Sequence, residues 1–143
     1  MDHGKVCELC GQDGGEVIYR DEALRVVLAN EADYPGFCRV IWNAHCKEMS
    51  DLAPAQRGRL MDAVFVVESA VRKVMQPHKI NLASLGNVVP HLHWHVIPRY
   101  RDDRHFPNPI WGSAQRDASI RHTAAASDWR AQLRTMIAHS LSA

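Results

Sequence analysis

The sequence predicts an α+β domain with a mostly antiparallel sheet of about five strands, one long helix and a C-terminal helix. Three observations predict it. Short β-branched runs separated by turn residues fill the chain up to Trp42. After Pro54 the hydrophobic period changes to that of a helix. Strict alternation then returns at His91-Leu92-His93-Trp94-His95. The expected element order is β-β-β-α-β-β-α.

Each element has a local cause. Glu16–Arg20 and Leu24–Ala29 flank Asp21-Glu22 and read as a hairpin. Tyr34-Pro35-Gly36 marks a turn, and Cys38–Trp42 follows as a third strand. Leu60, Val64, Val67, Val71 and Val74 recur at spacings of three and four, which buries one helix face. Pro54 suits the first turn of that helix, and Pro77 lies just past its end. Lys79–Leu85 is the fourth strand and Gly86-Asn87 a turn. His91–Ile97 is the fifth strand, stopped by Pro98. Residues 99–119 carry Pro107 and Pro109 and read as a long surface loop. That loop is either solvated, or closes over a ligand or a second subunit. Trp129, Leu133, Met136 and Leu141 predict a final helix with Ser127 as N-cap, so that loop and helix span about 99–141. No linker divides the chain, and residues 1–143 read as one domain.

Composition narrows the function. At 143 residues, 46% hydrophobic and 23% charged, the chain can bury a core without disulfides. A net charge of +1 with no polybasic tract argues against nucleic acid or an anionic membrane as partner. No run approaches the roughly 18 apolar residues of a membrane span. Met1–Lys5 has no apolar signal segment, so a reducing cytoplasm is the expected compartment. The anomaly is histidine: nine residues, three of them in the alternating strand.

Residues i, i+2 and i+4 share one face of a strand, so His91, His93 and His95 line one side. Leu92, Trp94 and Val96 face the other side and can pack on a helix. At about 3.3 Å per residue, His91 and His95 are roughly 13 Å apart along the strand. All three cannot ligate one metal at zinc–nitrogen distances of about 2 Å. The row must serve more than one task. Neutral imidazole at pH 7 can attack phosphorus and leave again, and a neighbouring histidine can assist the leaving oxygen. A metal site alone, or a polar row on a solvated face, are the competing readings. Cys7-x-x-Cys10 reads as metal-binding or redox-active, but the βαβ context of redox pairs is absent.

His91-Leu92-His93-Trp94-His95-Val96-Ile97 resembles the signature of the histidine-triad (HIT) family. Gly86-Asn87-Val88-Val89-Pro90 is similar to the family's lead-in, and Pro98-Arg99 follows as it often does. Tyr34-Pro35-Gly36-Phe37 and Asn43-Ala44-His45 also resemble family segments. The likeness runs from about Cys7 to Arg99, and more narrowly points to a bacterial branch labelled diadenosine polyphosphate hydrolases. It implies a HIT-like fold, a homodimer and a nucleotide hydrolase or nucleotidyltransferase. The substrate would be a purine mononucleotide conjugate or a dinucleoside polyphosphate attacked at the α-phosphate. It implies His93 as nucleophile through a nucleotidyl-histidine, His95 at the phosphate and leaving group, and Asn30, Asn81 and Asn87 as nucleotide-binding residues. A backbone carbonyl near His91 would hold the Nδ1 proton of His93. No organic cofactor is implied, and no divalent cation is strictly required.

Some HIT proteins resemble this chain in a second respect, an N-terminal Cys-x-x-Cys joined by two histidines. By position these are Cys7, Cys10, His45 and His91, a structural zinc site. Free thiols are the alternative. Cys38 and Cys46 are expected to be ordinary core or surface residues. Three positions depart from the family pattern. Phe37 stands where many members carry a histidine, Val88 where a Ser/Thr often stands, and Asn87 where Gln is usual. They motivate a second reading, a nucleotide-binding, zinc-stabilised module with little turnover. A third is a metalloenzyme using two of the strand histidines. His78 is expected at the surface, His105 is undecided, and His3, His122 and His139 carry no signal.

Overall fold

The β-branched runs become five strands: β1 (Glu16–Arg20), β2 (Leu24–Leu28), β3 (Cys38–Trp42), β4 (Lys79–Ala83) and β5 (His93–Arg99). They form one sheet in the order β1-β2-β3-β5-β4, with every neighbouring pair antiparallel. Three helices join them: α1 (Glu8–Gly11), α2 (Pro54–Met75) and α3 (Trp129–Ser142). This computed structural model describes residues 7–117 and 127–142. His3 and His122 lie outside them.

Strand alternation gives the sheet two unlike faces. On the inner face, Leu24, Val26, Leu28, Cys38, Val40 and Val96 pack against Leu60, Val64, Val67 and Val71 of α2. Leu133, Ile137 and Leu141 of α3 complete this cluster. Each fully buried aliphatic side chain here stabilises the fold by about 1.5–3 kcal/mol relative to exposure. Leu92 and Val96 join this core and Trp94 packs against it, as the alternation predicts. Gly36 makes the turn into β3 possible. Its φ is +89°, and a Cβ there would stand 2.7 Å from Met75 Cγ at the end of α2. Among the described residues no helix is long and apolar enough to cross a membrane.

Several boundaries differ from the sequence reading. The fifth strand starts at His93 and runs through Pro98 to Arg99, instead of spanning His91–Ile97. Pro98 does not stop it. The Arg99 carbonyl faces β4, where it accepts the His78 N–H at 2.9 Å. Pro98 therefore turns its missing N–H the other way, where pairing with β3 has ended at Cys38 and Val96. His91 sits before the strand, in a tight turn closed by its N–H to the Val89 carbonyl at 2.8 Å. The second and fourth strands end at Leu28 and Ala83, short of Ala29 and Leu85. The final helix begins at Trp129, which puts Asp128 rather than Ser127 in the capping position. Two short elements carry too little periodicity to read: α1 and a 3-10 turn at Met49–Asp51.

The segment after β5 is more than a solvated loop. Tyr100 and Asp103 are buried. Asp103 takes a two-pronged ion pair from Arg99, at 2.8 and 3.0 Å, and accepts the N–H groups of Tyr100, His105 and Phe106. Burial alone would raise its carboxyl, but Arg99 and these donors bring it down to about 2.

Candidate active site and metal centre

The outer face of the sheet carries the polar row. Across the ladder His93 stands opposite Ile41, and His95 opposite Arg39 and Ala83. Both histidines are buried. Their rings meet edge to face, with centroids 4.8 Å apart. His93 Nδ1 lies 2.6 Å from the His91 carbonyl, which can only accept, so Nδ1 carries the proton. The lone pair is then on Nε2. Burial lowers the His93 pKa against the opposing pull of that hydrogen bond. His95 is held lower still, at about 3, by burial first and then by the neighbouring His93 and Arg39. Its Nδ1 is buried and meets no hydrogen-bond partner among the described residues. The single proton of this neutral ring belongs on Nε2. The pair thus offers a free nitrogen lone pair beside an N–H donor.

Aromatic rings border His95. Phe37 packs against it at 5.6 Å between centroids, and the indole of Trp111 at 5.0 Å. Phe37 is fully buried, so the place of the family's upstream histidine is filled by a ring without a polar atom. Val88 is 92% exposed and stands in solvent. His105 binds Tyr34: its Nδ1 is 2.6 Å from the hydroxyl, and the rings stack. His78 is exposed and accepts the Arg101 N–H.

A second cluster lies at the His91 end of the row. The ligand atoms of Cys7, Cys10, His45 and His91 all lie within 4.8 Å of one another. Cys7 Sγ is 3.2 Å and Cys10 Sγ 3.6 Å from His91 Nδ1, and Cys10 Sγ is 3.3 Å from His45 Nδ1. His91 Nε2 donates to the Trp42 carbonyl at 2.6 Å, which aims Nδ1 at the thiols. Two sulfurs and two imidazole nitrogens converging on one point are a donor set that fits tetrahedral zinc. Arg25 fastens the segment that brings the thiols there. Buried under α1, it donates to the carbonyls of Leu9, Gln12 and Asp13 and to Asn43 Oδ1. Cys38 is buried in the inner core and Cys46 is half-buried, both outside the cluster.

The three asparagines are dispersed. Asn81, opposite Ile97 on the outer face, accepts Arg99 Nη1 at 2.7 Å. Asn30 is exposed and opens onto a cleft of about 590 Å³ that Trp129 and Arg130 of α3 also line. Asn87 is exposed in the β4–β5 connection. A second cleft of about 440 Å³, lined by Ser84, Gly86, His91 and His93, sits beside that connection without Asn87. The fold thus gathers His93 with His95, and the four Cys/His residues with one another, but does not draw the asparagines into one group.

Two residues escaped the sequence reading. Trp111 lies in the 99–119 segment, where no period or motif marks it. Arg39 carried a usable signal, a lone charge inside the apolar strand Cys38–Trp42 at an outward-facing position.

Comparison with known proteins agrees with this arrangement. A family model of the HIT domain matches residues 11–102. An AP-4-A phosphorylase of Mycobacterium tuberculosis is 28% identical over 126 residues, covering 82% of this chain and 65% of that protein. An asymmetrical bis(5'-nucleosyl)-tetraphosphatase of Schizosaccharomyces pombe is 28% identical over 95 residues, 63% of this chain and 52% of that one. The chain spans less than two thirds of the length of these two curated relatives. A histidine triad protein of Bradyrhizobium japonicum superposes with a TM-score of 0.69 at 25% identity, covering 90% of this chain and 92% of that one. One from Marinobacter aquaeolei shares the fold, with a TM-score of 0.72 at 22% identity over 95% and 96% of the two chains. On the family match and on the histidine row, the chain belongs to the histidine-triad (HIT) family.

Proposed function

We propose that the chain, read as one HIT domain over residues 1–143, is a nucleotide hydrolase or nucleotidyltransferase. It acts at the α-phosphate of a dinucleoside polyphosphate or a purine mononucleotide conjugate. One observation carries the reading: the His91 carbonyl accepts a hydrogen bond from the Nδ1–H of His93, which leaves the lone pair on Nε2 free to attack. The names of the two curated relatives, both for proteins of diadenosine tetraphosphate or nucleosyl-tetraphosphate chemistry, support the substrate class.

In the first step the His93 Nε2 lone pair forms a bond to the α-phosphorus. The bond from phosphorus to the bridging oxygen breaks, and that oxygen leaves with the electron pair. The resulting imidazolium keeps its Nδ1 proton, which stays hydrogen-bonded to the His91 carbonyl. In the second step water, or inorganic phosphate in a phosphorylase, attacks the same phosphorus. The N–P bond breaks, its pair returns to Nε2, and water's proton passes to solvent. His95 donates a hydrogen bond from Nε2 to the reacting phosphate. Asn81 orients the phosphate from its seat on Arg99, Asn30 meets the ribose, and Asn87 contacts the nucleotide from the lead-in.

Cys7, Cys10, His45 and His91 hold a structural zinc ion in this reading. Bound there, zinc supplies a closed four-ligand crosslink and no step of the chemistry. A homodimer and a cytoplasmic location, where the thiols stay reduced, complete the proposal.

Incubation with α-labelled adenine and guanine nucleotide conjugates tests it. An acid-labile adduct is expected on the native protein and absent from His93→Ala. An adduct that survives His93→Ala overturns the nucleophile assignment. Tight nucleotide binding without adduct or turnover favours the second reading, a binding module, which the apolar Phe37 and the exposed Val88 motivate. Protein purified without chelator should carry about one zinc per chain, and clearly less counts against the four-ligand site. Sedimentation equilibrium tests the dimer.

A further inference from the structure

Four sheet arginines lie on the outer face, and three of them are occupied. Arg20, the ladder partner of Arg25, pairs with the Asp13 carboxylate. Arg25 has four protein acceptors. Arg99 has the Asp103 carboxylate, the Asn81 amide oxygen and the Asn108 carbonyl. Arg39 differs. Among the described residues it makes one hydrogen bond, from Nη1 to the Gly14 carbonyl at 3.0 Å, and no ion pair. Glu8 and Glu31 act on it only across space, and burial works against its charge. A half-buried guanidinium with open donors and no anion is costly unless an anion arrives.

Its position says where that anion sits. Arg39 is the ladder partner of His95, on the same face. Its guanidinium carbon lies 5.2 Å from the centroid of Phe37, and the Phe37 ring packs on His95. Phe37 thereby lies between the cation and His95, in the place where many family members have a second polar ring, and the Arg39 charge acts on both His93 and His95.

We propose that Arg39 is a clamp for the leaving phosphate chain, which sets the site to cleave dinucleoside polyphosphates in preference to nucleoside phosphoramidates. This rests on the function proposed above and names its substrate class. The chemistry favours it. A leaving phosphoanhydride oxygen departs as an anion and needs a cation more than a proton. A leaving amine departs neutral and needs a proton. His95, buried and neutral with its pKa near 3, is a hydrogen-bond donor at pH 7 and not a store of protons. The forked guanidinium suits adjacent phosphate oxygens, which lysine meets only as a point charge.

The test compares kcat/KM of native protein, Arg39→Gln and Arg39→Lys on diadenosine tetraphosphate and on adenosine 5'-phosphoramidate. Arg39→Gln should lose about 100-fold on the tetraphosphate, the scale of one lost transition-state donor, and less than about 3-fold on the phosphoramidate. Equal losses on both substrates overturn the clamp. Should Arg39→Gln fail to fold, Arg39→Lys carries the comparison, with about a 10-fold loss confined to the tetraphosphate. Binding of inorganic tripolyphosphate separates this proposal from the hydrolase reading. If native protein turns over neither substrate, the hydrolase reading fails. The clamp then stands or falls on Arg39→Gln weakening tripolyphosphate at least about 10-fold, the effect of one lost charge-assisted contact.

Discussion

The histidine row is fastened at both ends, in opposite ways. At the His91 end, the ligand atoms of Cys7, Cys10, His45 and His91 all lie within 4.8 Å of one another, with each thiol against an imidazole nitrogen. At the Arg99 end, a buried guanidinium and the Asp103 carboxylate satisfy each other, with backbone N–H groups taking up the remaining lone pairs. One end is firm on the chain's own charges. The other is a Cys/His set that could hold a metal ion. His93 and His95 sit between them, so the site's geometry has one fixed boundary and one conditional boundary.

The largest expected effect tests the fixed end. Asp103→Ala strands Arg99 in the interior and should cost about 3–5 kcal/mol in urea denaturation. That cost should be unchanged by chelator. A loss below about 1 kcal/mol would mean that the loop, and not the ion pair, holds this end. Next comes the conditional end. With free zinc at about 100 times its dissociation constant, chelation should remove about 3 kcal/mol of stability. Cys10→Ser should make the protein indifferent to zinc. A native protein whose melting is unmoved by zinc would erase the contrast.

Acid sharpens the comparison further. His95 is neutral in the fold down to about pH 3, while an unfolded histidine takes up a proton near 6.5. Between those values the unfolded state binds more protons, so stability falls as pH falls, by up to about 1.4 kcal/mol per pH unit. His95→Phe should flatten that limb of the curve. Asp103 gives a separate loss at lower pH, because its stabilisation is present above the usual carboxylate range and disappears as pH falls toward about 2. The smallest effect belongs to Trp111→Ala. The indole is half exposed, so stability should move by no more than about 0.5 kcal/mol. The His95 ring signals in NMR should still shift, since the indole borders that ring.

The sheet, the long helix and the separation of His91 from the His93–His95 pair were legible in the sequence. Each rests on a period that local chemistry enforces: valines and leucines at helical spacing in α2, and imidazoles alternating with apolar residues in β5. What was not legible depended on partners distant in sequence. Pro98 continues its strand because β3 stops beside it, which no local rule states. Arg99 and Asp103 looked like the start of a polar loop, although their four-residue spacing folds them into a buried pair. The meaning of Arg39 lies in Phe37 and His95, one just before its own strand and one across the ladder. Asn30, Asn81 and Asn87 were named by resemblance. Only Asn81 has its side-chain partner on the histidine face, because strand register fixes it there, while the other two ride on exposed connections.

His91 belongs to both sites at once. Its Nδ1 faces the thiols, its Nε2–H is tied to β3 at Trp42, and its carbonyl accepts a hydrogen bond from the Nδ1–H of His93. The Cys7–Cys10 segment and the His93 ring therefore share one anchoring residue. If the proposed zinc is held there, exchanging it for a larger divalent metal would shift His91, and with it the carbonyl that orients the nitrogen proposed to attack.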